Sequence, residues 1–134
     1  MTDYFNREFA PDEIHAISGI GLAHLGDAVY ELLVRTYLCA HGKATGKGLH
    51  RATVELVRAP RQAELSEKIV PLLTEEEAAA FKRGRNANIH TIAHNATIAE
   101  YRQATALEAL FGWLYLQNRR ERINELFNIM MEEA

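Results

Sequence analysis

Apolar residues recur at three- and four-residue spacing along almost the whole chain, and this pattern constrains the fold more than any other feature. Such spacing puts side chains on one face of a helix, whereas a half-buried strand requires alternation. No alternating Val/Ile/Thr run occurs, and the chain contains only 3 Pro to interrupt helices. The expectation is an all-α fold. With 134 residues, positions 1–134 are expected to form one domain around a single sizeable core. Hydrophobic residues at 48% and charged residues at 25% exclude a disordered chain. One cysteine, Cys39, excludes an intramolecular disulfide and favours a reducing compartment. No run approaches the roughly 18 apolar residues of a membrane span, and the opening Met1 to Glu8 lacks the basic-then-apolar order of a signal peptide. A cytoplasmic protein with no membrane association is expected.

Seven helices follow from the spacing and its punctuation. Pro11 opens a short helix to about Ser18, where Gly19 and Gly21 interrupt it. From Leu22 a long helix carries Leu25, Val29, Leu32, Leu33, Tyr37 and Ala40 as its expected buried stripe, closed by Gly42. Gly42 to Gly48 reads as a loop, Leu49 to Arg58 as a third helix, and Ala59-Pro60 starts a fourth that Pro71 ends. Thr74 and Glu77 form a capping box for a fifth helix running to Gly84. A polar loop from Asn86 to about Thr97 precedes a sixth helix to Gln117, with Tyr101, Ala104, Leu107, Phe111, Leu114 and Tyr115 facing a core. Ile123, Leu126, Phe127 and Met130 mark the seventh.

Two carboxylates stand out. Asp27 lies in an apolar helical stretch beside Gly26, a poor helix residue whose presence suggests a close approach by another backbone or a substrate. Glu108 sits in the similar run Ala106-Leu107-Glu108-Ala109-Leu110-Phe111-Gly112. Singly, each fits a helix boundary or a pairing with Arg; together, from separate helices, they suit a hard divalent cation such as Mg²⁺, which takes one or two carboxylates and completes its shell with water and substrate phosphate. Other chemistries lack their residues. His90 and His94 are not followed by the Glu of a zinc protease, Cys39 and His41 are isolated, and neither a Gly-x-Ser-x-Gly nor a phosphate-binding Gly-rich loop ending in Lys-Ser/Thr is present.

Charge is unevenly placed. From Lys43 to Arg85 there are nine Lys/Arg against six Asp/Glu, and elsewhere six against twelve, within a total of -3. Solvated helix faces produce such a split, as does a basic segment that meets phosphates while acidic segments hold cations. The densest cluster, Lys82-Arg83-Gly84-Arg85-Asn86, fits either helix-dipole complementation or contacts to the backbone of a nucleic acid.

These motifs together resemble the ribonuclease III family, and within it the small Mini-III members. Leu25-Gly26-Asp27-Ala28-Val29 is similar to the centre of the family signature, and Thr105 to Gly112 followed by Leu114-Tyr115-Leu116 is similar to its second acidic motif. Mini-III features extend over most of the chain: Tyr30-Glu31 after the signature, Leu49-His50 through Ala59-x-x-Gln62-Ala63, Thr74-Glu75-Glu76-Glu77, Lys82 to Ala87, and Tyr101-Arg102 ahead of Thr105. The sequence ends where full-length enzymes add a double-stranded RNA-binding domain, as Mini-III chains do.

The resemblance implies a homodimeric, Mg²⁺-dependent endoribonuclease that cuts both strands of double-stranded RNA and, as in Mini-III, trims precursor 23S rRNA. Asp27 and Glu108 would hold the metal and carry catalysis. Lys82, Arg83, Arg85, Asn86 and Arg102 would form the RNA-binding rim, suited to the shape, 2′-hydroxyls and phosphates of an A-form minor groove. Two acidic positions of the full-length enzymes are occupied here by Ala23 and Thr105, and Glu31, one turn beyond Asp27, could act through water. An apolar dimer patch is expected around Leu22 to Tyr30. The alternative readings are a noncatalytic ribonuclease III-like fold that binds structured RNA or a ribosomal particle, and a helical dimer that scaffolds protein partners.

Overall fold

The computed structural model describes residues 1–42, 45–88 and 96–132. All regular structure among them is helical: α1 (Pro11–His15), α2 (Gly19–Ala40), α3 (Gly46–Val57), α4 (Ala59–Ser66), a 3₁₀ turn (Val70–Leu72), α5 (Glu75–Arg85), α6 (Ile98–Leu116) and α7 (Arg120–Met131). His90 and His94 lie outside the described residues. No helix is long and apolar enough to cross a membrane among those described.

Caps decide where the helices begin. Thr74 accepts the Glu77 N–H while Glu77 accepts the Thr74 N–H, so the expected capping box forms. Thr97 and Glu100 build a second one at the start of α6. Gly19 and Gly21 do not interrupt a helix. Ser18 Oγ accepts the Gly21 N–H at 3.0 Å, which makes both glycines part of the first turn of α2. Thr45 does the same for Gly48, so α3 starts earlier than Leu49. α4 stops at Ser66, ahead of Pro71, which instead sits in the 3₁₀ turn. Gly42 closes α2 with φ of 85°.

α6 is the central element and packs on α2, α4, α5 and α7. It is buried on nearly every side, with Ala104, Leu107, Leu110, Phe111 and Leu114 all in the core, and Tyr101 and Tyr115 half-buried. The stripe expected on α2 differs from the one that forms. The buried row is Leu22, Gly26, Tyr30, Val34 and Leu38, with Ala23 beside it. Leu25, Val29, Leu33 and Tyr37 lie half-buried along its edge, and Leu32 and Ala40 are exposed. A search for aliphatic residues favours the wrong row here, because the helix turns its smallest residue, Gly26, toward α6 so that the two backbones can meet.

One buried charge is fully paired. Glu77, 1% exposed, accepts from Arg122 Nε and Nη2 at 2.8 Å in addition to its capping bond. Hydrogen bonding from Arg122 holds the Glu77 carboxyl below its usual value. Arg122 also reaches the Leu72 carbonyl at 2.9 Å, tying α7 to α5 and the turn before it.

Candidate active site

α2 and α6 cross at two glycines. A Cβ on Gly26 would stand 1.6 Å from the Glu108 carbonyl oxygen, and one on Gly112 would stand 2.1 Å from that of Leu22. Only hydrogen fits at either position. The contact therefore brings together the neighbours of Gly26 and the turn of α6 that carries Glu108, and Asp27 meets Glu108 side by side. Burial, the Asp27 charge and a hydrogen bond shared with Asp27 push the Glu108 carboxyl up to about 8. A buried carboxyl held protonated beside a second carboxylate is expected where a cation belongs.

The donor set fits Mg²⁺ better than a metal that demands a protein cage. No group of three or more His, Cys, Asp or Glu side chains gathers among the described residues, and Mg²⁺ needs only one or two carboxylates from the protein. Ala23 and Thr105 are each 6% exposed, and Thr105 gives its hydroxyl to the Tyr101 carbonyl at 2.9 Å. Glu31 is engaged by Arg35 at 2.6 Å.

A junction between α3 and α4 supports the site from below. The Leu56 carbonyl would ordinarily receive the N–H of residue 60, but Pro60 has none, and the Tyr30 hydroxyl donates to it instead at 3.0 Å. Burial pushes the Tyr30 hydroxyl pKa up, which keeps it a donor. The next carbonyl, Val57, lacks a helical partner because the Arg61 N–H turns to Arg58; Gln62 Nε2 donates to it at 2.7 Å and also reaches Glu108 Oε2 at 3.4 Å. In the sequence Gln62 stands out only as one member of the Ala59-x-x-Gln62-Ala63 motif. Its position beside Glu108 depends on how α4 packs on α6, which no local pattern announces.

The basic cluster divides. Lys82, Arg85 and Asn86 are exposed at the last turn and cap of α5. Arg83 turns inward and gives Nη2 to the Ile17 carbonyl at 2.7 Å, joining α5 to the segment between α1 and α2. Arg102 is half-buried and donates to the Arg85 carbonyl at 3.1 Å, which steadies the cluster from α6. Gly84 lets this end of α5 lie directly on α6, since a Cβ there would meet the Thr105 carbonyl oxygen and the Ala106 Cα at 2.9 Å each. The cluster thus adjoins the turn of α6 that precedes Glu108.

A family model described as Ribonuclease III domain matches residues 21–119, a span that holds both Asp27 and Glu108. The chain belongs to the ribonuclease III family. Its relatives place it in the Mini-ribonuclease 3 branch. The Mini-ribonuclease 3 of Clostridium tetani is 40% identical over 133 residues, covering 98% of this chain and 88% of the relative. That of Enterococcus faecalis is 44% identical over 114 residues, covering 84% and 86%. The crystal structure of a protein from Fusobacterium nucleatum superposes with a TM-score of 0.81 at 37% identity, covering 89% of this chain and 97% of the other. The ribonuclease III fold expected from the helix pattern and the acidic motifs is therefore present.

Proposed function

We propose that this ribonuclease III family member is a Mg²⁺-dependent endoribonuclease that cuts both strands of double-stranded RNA, with the ends of precursor 23S rRNA as its natural target. The observation that carries the reading is the meeting of Asp27 and Glu108 across the glycine contact of α2 and α6. Asp27 and Glu108 would hold the cation, and Glu108 would have to be deprotonated to do so. The chemistry a bound Mg²⁺ would supply is a more acidic water and stabilisation of charge on a leaving oxygen. Lys82, Arg85 and Asn86 meet the phosphates and sugars of the duplex, with Arg102 behind them and Arg83 serving mainly as a tie to Ile17.

The active form is a homodimer, so that two sites meet two antiparallel strands. Of the stretch from Leu22 to Tyr30 expected to carry it, Leu22 and Tyr30 are buried in the chain's own core, whereas Val29 reaches the surface. An apolar groove of about 320 Å³ lies farther along α2, lined by Val29, Leu32, Leu33, Tyr115 and Ile123 with Arg120 and Asn124 at its margin. Leu32 stands 64% exposed there and extends the groove into one contiguous apolar patch of the kind a second copy would cover.

The test is cleavage of a plain RNA duplex by the purified chain with and without Mg²⁺. Paired cuts that need Mg²⁺ and disappear in Asp27→Asn are expected. Tight duplex binding with no cleavage under any divalent cation would instead establish the noncatalytic RNA-binding reading, which the neutral, buried Ala23 and Thr105 favour.

A further inference from the structure

Gln62 has the least ordinary environment near the paired carboxylates. Its side chain is 2% exposed, and its Nε2 faces two acceptors, Val57 O at 2.7 Å and Glu108 Oε2 at 3.4 Å. Its Oε1 is buried without a hydrogen-bond partner among the described residues. An amide used only to finish α3 needs one hydrogen, and leaving a buried carbonyl oxygen unpaired is unfavourable. Here Nε2 lies within hydrogen-bond reach of two oxygens. Rotating the amide by half a turn would set Oε1 against the same two acceptors, so its orientation is fixed by what it donates to. Tyr30 makes a useful contrast: its hydroxyl performs the same service for Leu56 O and forms no hydrogen bond to Glu108.

We propose that Gln62 is a positioning residue for Glu108, holding Oε2 from the protein side so that the carboxylate meets a divalent cation in one orientation against Asp27. The proposal rests on Asp27 and Glu108 being the Mg²⁺ ligands. The 3.4 Å contact reaches Glu108 Oε2 from the α4 side, and an amide donor there leaves the other carboxylate oxygen free for the cation. Removing such outer supports of ligating side chains typically weakens metal binding by about 10- to 100-fold. Because the other hydrogen of Gln62 is fixed on Val57 O, the orientation of Glu108 is tied to the end of α3.

The experiment is calorimetric titration of MgCl₂ into the full chain without RNA, comparing wild type with Gln62→Leu, Gln62→Asn, Tyr30→Phe, Asp27→Asn and Glu108→Gln. Circular dichroism checks that each is folded at the titration temperature. Mg²⁺ affinity is expected to fall by roughly 10- to 100-fold in Gln62→Leu and in Gln62→Asn, whose amide is one methylene short of Glu108, and to stay at the wild-type value in Tyr30→Phe. Gln62→Asn keeps an amide near the α3 terminus and gives the answer if Gln62→Leu does not fold. Wild-type affinity in a folded Gln62 variant, alongside abolished binding in Asp27→Asn, overturns the positioning role and leaves the metal site standing. Absence of Mg²⁺ binding by the wild type, or wild-type affinity in both carboxylate variants, overturns the metal site and the proposal with it.

Discussion

Glu108 sets the behaviour of the site because its proton is held by its surroundings. Burial first, then Asp27, raise its carboxyl from 4.5 to about 8. Between those values the folded chain keeps a proton that the unfolded chain has released, so without divalent cations unfolding free energy should fall as pH rises through this window. Thermal melts across it should show a declining midpoint in the wild type and a flatter profile in Glu108→Gln; equal slopes would mean that Glu108 is ionised throughout. Added Mg²⁺ should stabilise more at the upper end, where no proton must leave. Asp27→Asn and Glu108→Gln should each slow duplex cleavage at least about 100-fold while the fold persists, the range expected when electrostatic stabilisation is removed from a reacting centre. Full turnover by either variant at saturating Mg²⁺ would remove that residue from the site. Both carboxylates are legible in the sequence because each interrupts an apolar helical run beside or near a glycine. Gln62 is not, since a glutamine between Arg61 and Glu64 reads as part of a solvated face until α4 is seen to pack on α6 with Gln62 turned toward Glu108. Arg83 shows the converse: clustering alone cannot separate a cation aimed at solvent from one that ties Ile17.

Helix order follows from periodicity, whereas helix faces follow from contacts. Seven helices, the start of α4 at Ala59-Pro60 and the Thr74 capping box are all readable from spacing and punctuation. The helical state of the glycines at 19, 21, 46 and 48 is not, because Ser18 and Thr45 convert apparent breakers into first-turn residues. The buried face of α2 is hidden for a related reason, since hydrophobicity does not register a glycine that makes room for a backbone. That contact yields a sharp expectation. In an exposed helix Gly→Ala adds about 1 kcal/mol of stability, but at Gly26 or Gly112 the new methyl would overlap a main-chain oxygen. Each substitution should lower stability by about 1–3 kcal/mol or more in urea unfolding, and the folded remainder should cleave poorly because α2 has been pushed from α6. A stabilised or fully active Gly26→Ala would show that the helices are free to part.

For the whole molecule, charge and assembly can be tested apart. Neutralising Lys82 and Arg85 together should weaken duplex binding and reduce the slope of log affinity against log salt by about 0.9 for each phosphate no longer neutralised, the value for a B-form duplex. An unchanged slope would assign the pair to capping α5. Arg83→Ala should act differently, lowering the melting temperature by removing the bond to Ile17. Sedimentation at micromolar concentration should give twice the chain mass, and Leu32→Asp should give one, with duplex nicking replacing paired cuts; a wild-type chain that sediments singly and still makes paired cuts would defeat the dimer. The crossing at Gly26 and Gly112 also has a bearing on how such a chain tolerates change. Where side chains separate two helices, every aliphatic exchange alters the gap by the width of a methyl group. Here the spacer is main chain, whose atomic radii are the same in every protein, and it works as a fixed gauge: the aliphatic filling elsewhere can drift from one lineage to another while the distance across which Asp27 faces Glu108 stays calibrated.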